Sequence, residues 1–140
     1  NKEEGIDIVT KGSNYGWPVK EGDSSFEKNN SNLEATFTQP AFTYTHKTGI
    51  CVIGGNFYYG NEIPALKNKY VFADWHGSIF ALSKNSDNKW RSESLKIINK
   101  PTEDFFICGC FIDANNQIFV MGYLVDKTGE KGVIYKIEKA

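Results

Sequence analysis

"GGNFYYGNEIPALKNKYVFADWHGSIFALSK", Gly54 to Lys84, decides how the rest of the chain is read. Its apolar runs are too short for helices. They are rich in aromatic and β-branched residues and are parted by glycine, asparagine and proline, which together read as strands and turns. Pro64 leaves room for one helical turn at most in "NEIPALKNK". A second stretch, "CGCFIDANNQIFVMGYLVDKTGEKGVIYKIEK" from Cys108 to Lys139, repeats the plan of strand, turn, strand, turn, strand. Both stretches close on a strand of the form G-x-I-[FY]-x-[LI], beginning at Gly77 and Gly132. An all-strand unit that recurs at a period of roughly 40–50 residues is the pattern of propeller blades.

Working outward, Gly5 to Val9 reads as a short strand and "KGSNYGWP" as a corner. There Asn14 tolerates left-handed geometry, Gly16 permits close backbone approach, and Pro18 holds Trp17 extended. The polar run Glu21 to Asn32 reads as an exposed loop. Pro40 to His46 alternates, with Phe42 and Tyr44 on one face, and reads as a strand. Lys89 to Ile98 supplies one strand or two, and Asp113 with Asn115-Asn116 reads as an Asx turn. The count is about nine to eleven short strands with no helix. The fold class is therefore all-β, as about two propeller blades and part of a third. The expected partition is 1–39 (the end of one blade and a rim loop), 40–84 (a blade) and 85–140 (the last blade).

The composition agrees. Aromatics make up 14% of the 140 residues, enough to furnish strands and a core. A net charge of −1 gives no electrostatic case for nucleic acid or an anionic membrane. No apolar run approaches the ~20 residues of a membrane-spanning helix. The cysteines are Cys51, Cys108 and Cys110, without CxxC spacing and with only two histidines in the chain, which argues against structural zinc. Alternation puts Cys108 and Cys110 on one strand face. The expectation is three buried free thiols; the alternative is a disulfide from Cys51 to Cys108 or Cys110.

Taken together, "G-x-NYGWP", "Y-x-H-x-x-G-x-x-x-x-GG-x-x-Y-x-G", "IP-x-L-x-x-KYVF-x-D" and the closing G-x-I-[FY]-x-[LI] make the chain resemble the C-terminal part of the glucose/sorbosone dehydrogenase family, from about Ile6 to Ile137. The resemblance implies a C-terminal fragment of a six-bladed propeller, since family members are longer. It implies oxidation of an aldose to its lactone, with pyrroloquinoline quinone as hydride acceptor, calcium as Lewis acid and a histidine base. That histidine belongs to an earlier blade, so the chain by itself is expected to be inactive and to carry no catalytic residue. Some relatives act purely by binding, which makes a carbohydrate- or protein-binding module the alternative. The implied partners are a sugar and the remaining blades, with oligomerisation through open strand edges as a further consequence. Family habit implies a secreted, periplasmic or cell-surface location.

The resemblance also marks residues. His46, Lys47 and Thr48, in a loop at the channel mouth, and His76, beside a strand end, are the candidate cofactor-binding groups. Glu4, the carbonyl of Tyr15, and Asp23 are the candidate calcium ligands. One departure stands out. Where quinone-binding relatives carry Arg-x-Arg-Asp, this chain reads Phe106-Ile107-Cys108-Gly109. Two lost guanidinium partners, at ~1.5–3 kcal/mol each, weigh against a tricarboxylate cofactor. Phe105 and Phe106 are instead suited to plug the channel or to stack on a sugar.

Overall fold

The computed structural model describes residues 2–26 and 36–140, so part of the expected Glu21–Asn32 loop lies outside the described residues. The chain divides into two units, 1–50 and 51–140. Every sheet is antiparallel, and the described helical structure is one 3₁₀ turn at Pro64–Leu66, where Pro64 begins it. No helix among the described residues is long and apolar enough to cross a membrane.

In the first unit β1 (Glu3–Ile6) pairs with β4 (Phe42–Thr45), and β2 (Lys20–Glu21) turns at Gly22 into β3 (Ser24–Ser25). The strand expected over Gly5–Val9 lies earlier, because pairing with β4 stops at Ile6 and leaves Ile8 and Val9 exposed. The "NYGWP" corner is built differently from expectation. Gly16, not Asn14, takes the positive φ, at 95°, and the Asn14 Oδ1 accepts the Gly16 N–H at 2.9 Å. A Cβ on Gly16 would sit 2.7 Å from the Lys20 Cβ, so glycine is required on two counts. The Trp17–Pro18 peptide is cis, and the exposed Trp17 ring rests on Phe26.

The second unit holds two sheets. The first has the order β5 (Val52–Phe57), β6 (Tyr70–Asp74), β7 (Ser78–Lys84), β8 (Trp90–Ser94). The second has the order β9 (Asp104–Ile112), β10 (Ile118–Asp126), β11 (Gly129–Ile137). Val71, Ala73, Ile79 and Ala81 of the first sheet pack against Phe105, Ile107, Ile118 and Val120 of the second in one core. The alternating set Phe72, Phe80 and Leu82 is buried as well, so the four-stranded sheet is apolar on both faces, as a propeller blade must be. Fully burying a side chain of this size is worth roughly 1.5–3 kcal/mol, which makes such two-sided burial the main source of stability here.

The expected boundary at 84/85 differs from the observed one. "NSDN" between β7 and β8 is a hairpin turn: the Asn85 Oδ1 accepts N–H groups of Asp87 and Lys89, and Asn88 takes a positive φ. β8 therefore completes the sheet of β7 instead of opening the last blade, and β4, grouped with 40–84, pairs with β1. A polar turn marks a hairpin as readily as a boundary, which is why composition misplaced it.

The first strand of each sheet, β5 and β9, carries a one-residue bulge. Gly54 is the extra residue in β5, and Cys108 is the extra residue in β9. The second bulge overturns the expectation about the thiols, because an extra residue reverses the inward–outward alternation. Cys108 is exposed while Cys110 is buried; Cys51 is exposed, and all three are free. Burial pushes the Cys110 thiol up to about 11 from an ordinary 9.0, and its Sγ lies 3.9 Å from the Val71 carbonyl.

Two outcomes are expected. A Cβ on Gly55 would lie 1.8 Å from the Val71 backbone oxygen, whereas one on Gly54 meets nothing within 4 Å. Gly55→Ala should cost about 3 kcal/mol or more and Gly54→Ala less than about 1 kcal/mol in urea unfolding. The unfolded Cys110 thiol ionises before the folded one. Its contribution is therefore complete below pH 9.0 and is lost as pH rises toward about 11. Cys110→Ala should remove roughly 2–3 kcal/mol of this alkaline loss, read from stability measured across that range.

Candidate functional site

The site starts from a buried carboxylate. Asp74 ends β6 wholly buried; its Oδ2 accepts the Cys51 N–H at 3.0 Å and its Oδ1 accepts the His76 N–H at 3.2 Å. Gly77 closes the turn at φ 73° by donating to the Asp74 carbonyl. A Cβ there would lie 2.7 Å from the Phe105 carbonyl. Trp75 between them donates its N–H to the Cys51 carbonyl and accepts the Ile107 N–H, both at 2.9 Å. The turn is thus bonded to the start of β5 on one side and to β9 on the other.

That rigid turn presents Trp75 half-buried and His76 exposed. Phe106 of β9 lies 4.6 Å from Trp75 between ring centroids and meets the His76 ring edge-on at 5.5 Å. Across the ladder Phe106 is paired with Tyr123 of β10, and the two rings stack at 5.3 Å. The result is a row, Trp75–Phe106–Tyr123, with the His76 imidazole at one end. Such pairs contribute about 0.5–1.5 kcal/mol each beyond burial and hold the rings in place. The Lys100 amine lies beside the turn, 3.4 Å from where a Gly77 Cβ would be. The arrangement offers a rigid apolar surface with one imidazole at its margin, suited to a flat ring with an apolar face and a polar rim.

His76 is thus part of a defined surface, although its ring contacts aromatics. The neighbouring phenylalanines separate: Phe106 joins the row, while Phe105 is buried edge-on to Tyr135 and belongs to the core. Trp75 and Tyr123 were not singled out from sequence. Trp75 lies within the Asp-x-x-Gly turn, which is a usable signal; Tyr123 faces Phe106 only through the β9–β10 register.

In the first unit the register of β1 on β4 brings together two residues assigned to different sites. The His46 Nε2 is 3.1 Å from the Glu4 Oε1. Lys47 and Thr48 are exposed in the turn that follows, closed by the Thr48 N–H donating to the Thr45 carbonyl. Asp23 belongs with Glu3 instead: its N–H donates to the Glu3 Oε2, and its Oδ2 accepts the Thr43 hydroxyl at 3.4 Å. Glu3 and Glu4 are successive in a strand and point to opposite faces, which separates Glu4 from Asp23. The Tyr15 hydroxyl, as distinct from the carbonyl expected to bind calcium, accepts from the Thr10 N–H and donates to the Ile8 carbonyl. Among the described residues, no group of three or more His, Cys, Asp or Glu converges to hold a metal ion.

Comparison with known proteins follows the same lines. A family model described as Glucose / Sorbosone dehydrogenase matches residues 1–99. The chain belongs to the glucose/sorbosone dehydrogenase family. It is 32% identical over 87 residues to the HIPL1 protein of Arabidopsis thaliana and 31% identical over 86 residues to HIPL2 of the same plant. Each match covers 54% of this chain and 12% of the relative, so the chain spans a small part of their length. The crystal structure of the soluble aldose sugar dehydrogenase of Escherichia coli, in its apo form, superposes with a TM-score of 0.63 at 19% identity. That match covers 99% of this chain and 40% of the other, and it establishes the shared fold.

The family implies a quinone, and the residues present here do not fit one at the expected place. Of the two guanidinium positions, Phe106 is in the aromatic row and Cys108 is an exposed free thiol at the β9 bulge. Arg91, the chain's one arginine, lies on β8 with its guanidinium donating to the Trp90 carbonyl. A tricarboxylate would meet no guanidinium on this face.

Asp74→Ala leaves the Cys51 and His76 N–H groups without their carboxylate. A loss of about 3 kcal/mol is expected in denaturant unfolding, together with a change in Trp75 fluorescence, since the turn that carries it is released.

Proposed function

We propose that this chain is the sugar-facing part of an aldose-recognising propeller, one that binds carbohydrate without itself holding quinone and does not oxidise the sugar on its own. The observation that carries this reading is the pinned row Trp75–Phe106–Tyr123 with His76 at its end. Stacked rings offer apolar area to the C–H face of a pyranose, and the imidazole supplies a directional hydrogen bond to a hydroxyl. The likeness to the E. coli aldose sugar dehydrogenase supports an aldose as the ligand class. The apolar replacement of the guanidinium positions supports binding over oxidation. Remaining blades of a longer polypeptide would complete the ring and the cleft.

The test is a titration of the purified protein with D-glucose and other aldoses, read by tryptophan fluorescence and heat. Saturable binding is expected, with Phe106→Ala weakening it roughly tenfold, about 1.4 kcal/mol, while the fold is retained. Unchanged affinity in Phe106→Ala would remove the aromatic row from the proposal. Glucose-dependent dye reduction after loading with pyrroloquinoline quinone and calcium would overturn the non-oxidising part and restore the family reaction.

A further inference from the structure

The two faces of the β1–β4 pair carry different chemistry. Alternation and the register of β1 on β4 put Glu4 and Ile6 on one face with Phe42, Tyr44 and His46, and Glu3, Gly5, Thr43 and Thr45 on the other. The Glu3 face takes the β2–β3 hairpin. There the Glu3 Oε2 accepts the Asp23 N–H at 3.2 Å, the Asp23 Oδ2 accepts the Thr43 hydroxyl, and a Cβ on Gly5 would lie 3.9 Å from the Gly22 Cα. The Glu4 face is closed by His46. Its backbone N–H donates to the Lys2 carbonyl at 3.2 Å, and its Nε2 lies 3.1 Å from the Glu4 Oε1, on a carboxylate side chain only 15% exposed. Tyr44, the ladder partner of Glu4, is buried beside them.

These faces bear on the calcium implied for Glu4, the Tyr15 carbonyl and Asp23. Calcium takes about six to eight oxygen ligands, and an imidazole nitrogen is a poor substitute for any of them. Glu4 and Asp23 lie on opposite faces of the strand pair, and the Glu4 oxygen that a cation would take faces a ring nitrogen instead. The donor set does not fit the ion. An imidazole N–H donates to a carboxylate whether the ring is neutral or charged, so it satisfies this shielded oxygen without a metal. We infer that the Glu4–His46 pair stands in for calcium in the first unit: it fastens the end of β4 to β1, and the ladder forms without the ion. The inference concerns the first unit alone and does not rest on the sugar-binding reading.

Hydrogen exchange and urea unfolding of the whole protein test it, with calcium at about 10 mM, above the roughly 0.1–1 mM dissociation constants of weak calcium modules, compared with chelator. Calcium is expected to leave both the unfolding midpoint and the exchange of the 3–6 and 42–46 amides unchanged. Glu4→Ala and His46→Ala should each speed that exchange by about tenfold. The double variant should speed it hardly more than either, since the cycle isolates the pair from the other contacts of each side chain. Slower exchange or a raised midpoint with calcium overturns the inference, because an ion that binds only the folded state stabilises it. Additive effects in the cycle, or a His46→Ala protein that exchanges as before, overturn it too. Should an alanine variant fail to fold, the same cycle with Glu4→Gln and His46→Gln, beside the calcium comparison on the unaltered protein, decides.

Discussion

The buried carboxylate of Asp74 is the constraint on which the second unit depends. A charged group wholly removed from water is tolerable only when hydrogen-bonded, and Asp74 meets that demand with backbone N–H groups from two different segments. By doing so it locks the β6–β7 turn against the chain entering β5. Trp75 then extends the same bonding to β9 through the Ile107 N–H. One side chain therefore sets the relation between a hairpin and the neighbouring sheet. The ring of Trp75 and the imidazole of His76 inherit their positions from it, and that is what makes the aromatic row a preformed surface and not a set of mobile side chains.

Close packing of backbone on backbone is the second determinant. Gly55 and Gly122 each occupy a place where a Cβ would fall within about 2 Å of a carbonyl oxygen, at Val71 and Phe106 respectively. Both lie beside a bulge in the adjoining ladder. The bulges bend β5 and β9 and reverse which of their residues face the core. Equivalent motif positions then have unequal fates. Ile79 is 3% exposed, because the next sheet covers it, while Ile134 in the matching place of β11 is 64% exposed. A repeated sequence has given two sheets with the same plan and different surroundings, so the same residue type is core in one and surface in the other.

Much of this was readable from the chain. The alternation in Phe42–Thr45, the Gly-x-Ile-aromatic closing strands and the Asp113 turn each carry a local signal, and each forms as expected; the Asp113 Oδ1 accepts the N–H groups of Asn115 and Gln117. The resemblance to the glucose/sorbosone dehydrogenase family rested on such signals in combination. The site was only partly legible. His76 and Phe106 could be picked out because they sit in the marked motifs. Tyr123 joins them across a ladder whose register is shifted by the Cys108 bulge, and nothing in the residues around Tyr123 announces that shift. The pairing of Glu4 with His46 likewise comes from the alignment of β1 on β4, two strands far apart in the chain.

The sequence by itself determined the class of the fold, the order of its strands, most of its turns and the family to which it belongs. These depend on period-two alternation and on the φ preferences of glycine, asparagine and proline, which act over a few neighbouring residues. The tertiary structure alone decided which sheet each strand joined, which of two nearby thiols is buried, which carboxylate meets which base, and which rings line up. Those outcomes depend on register and bulges, and one extra residue in a strand turns every later side chain to the other face without leaving a mark in the composition.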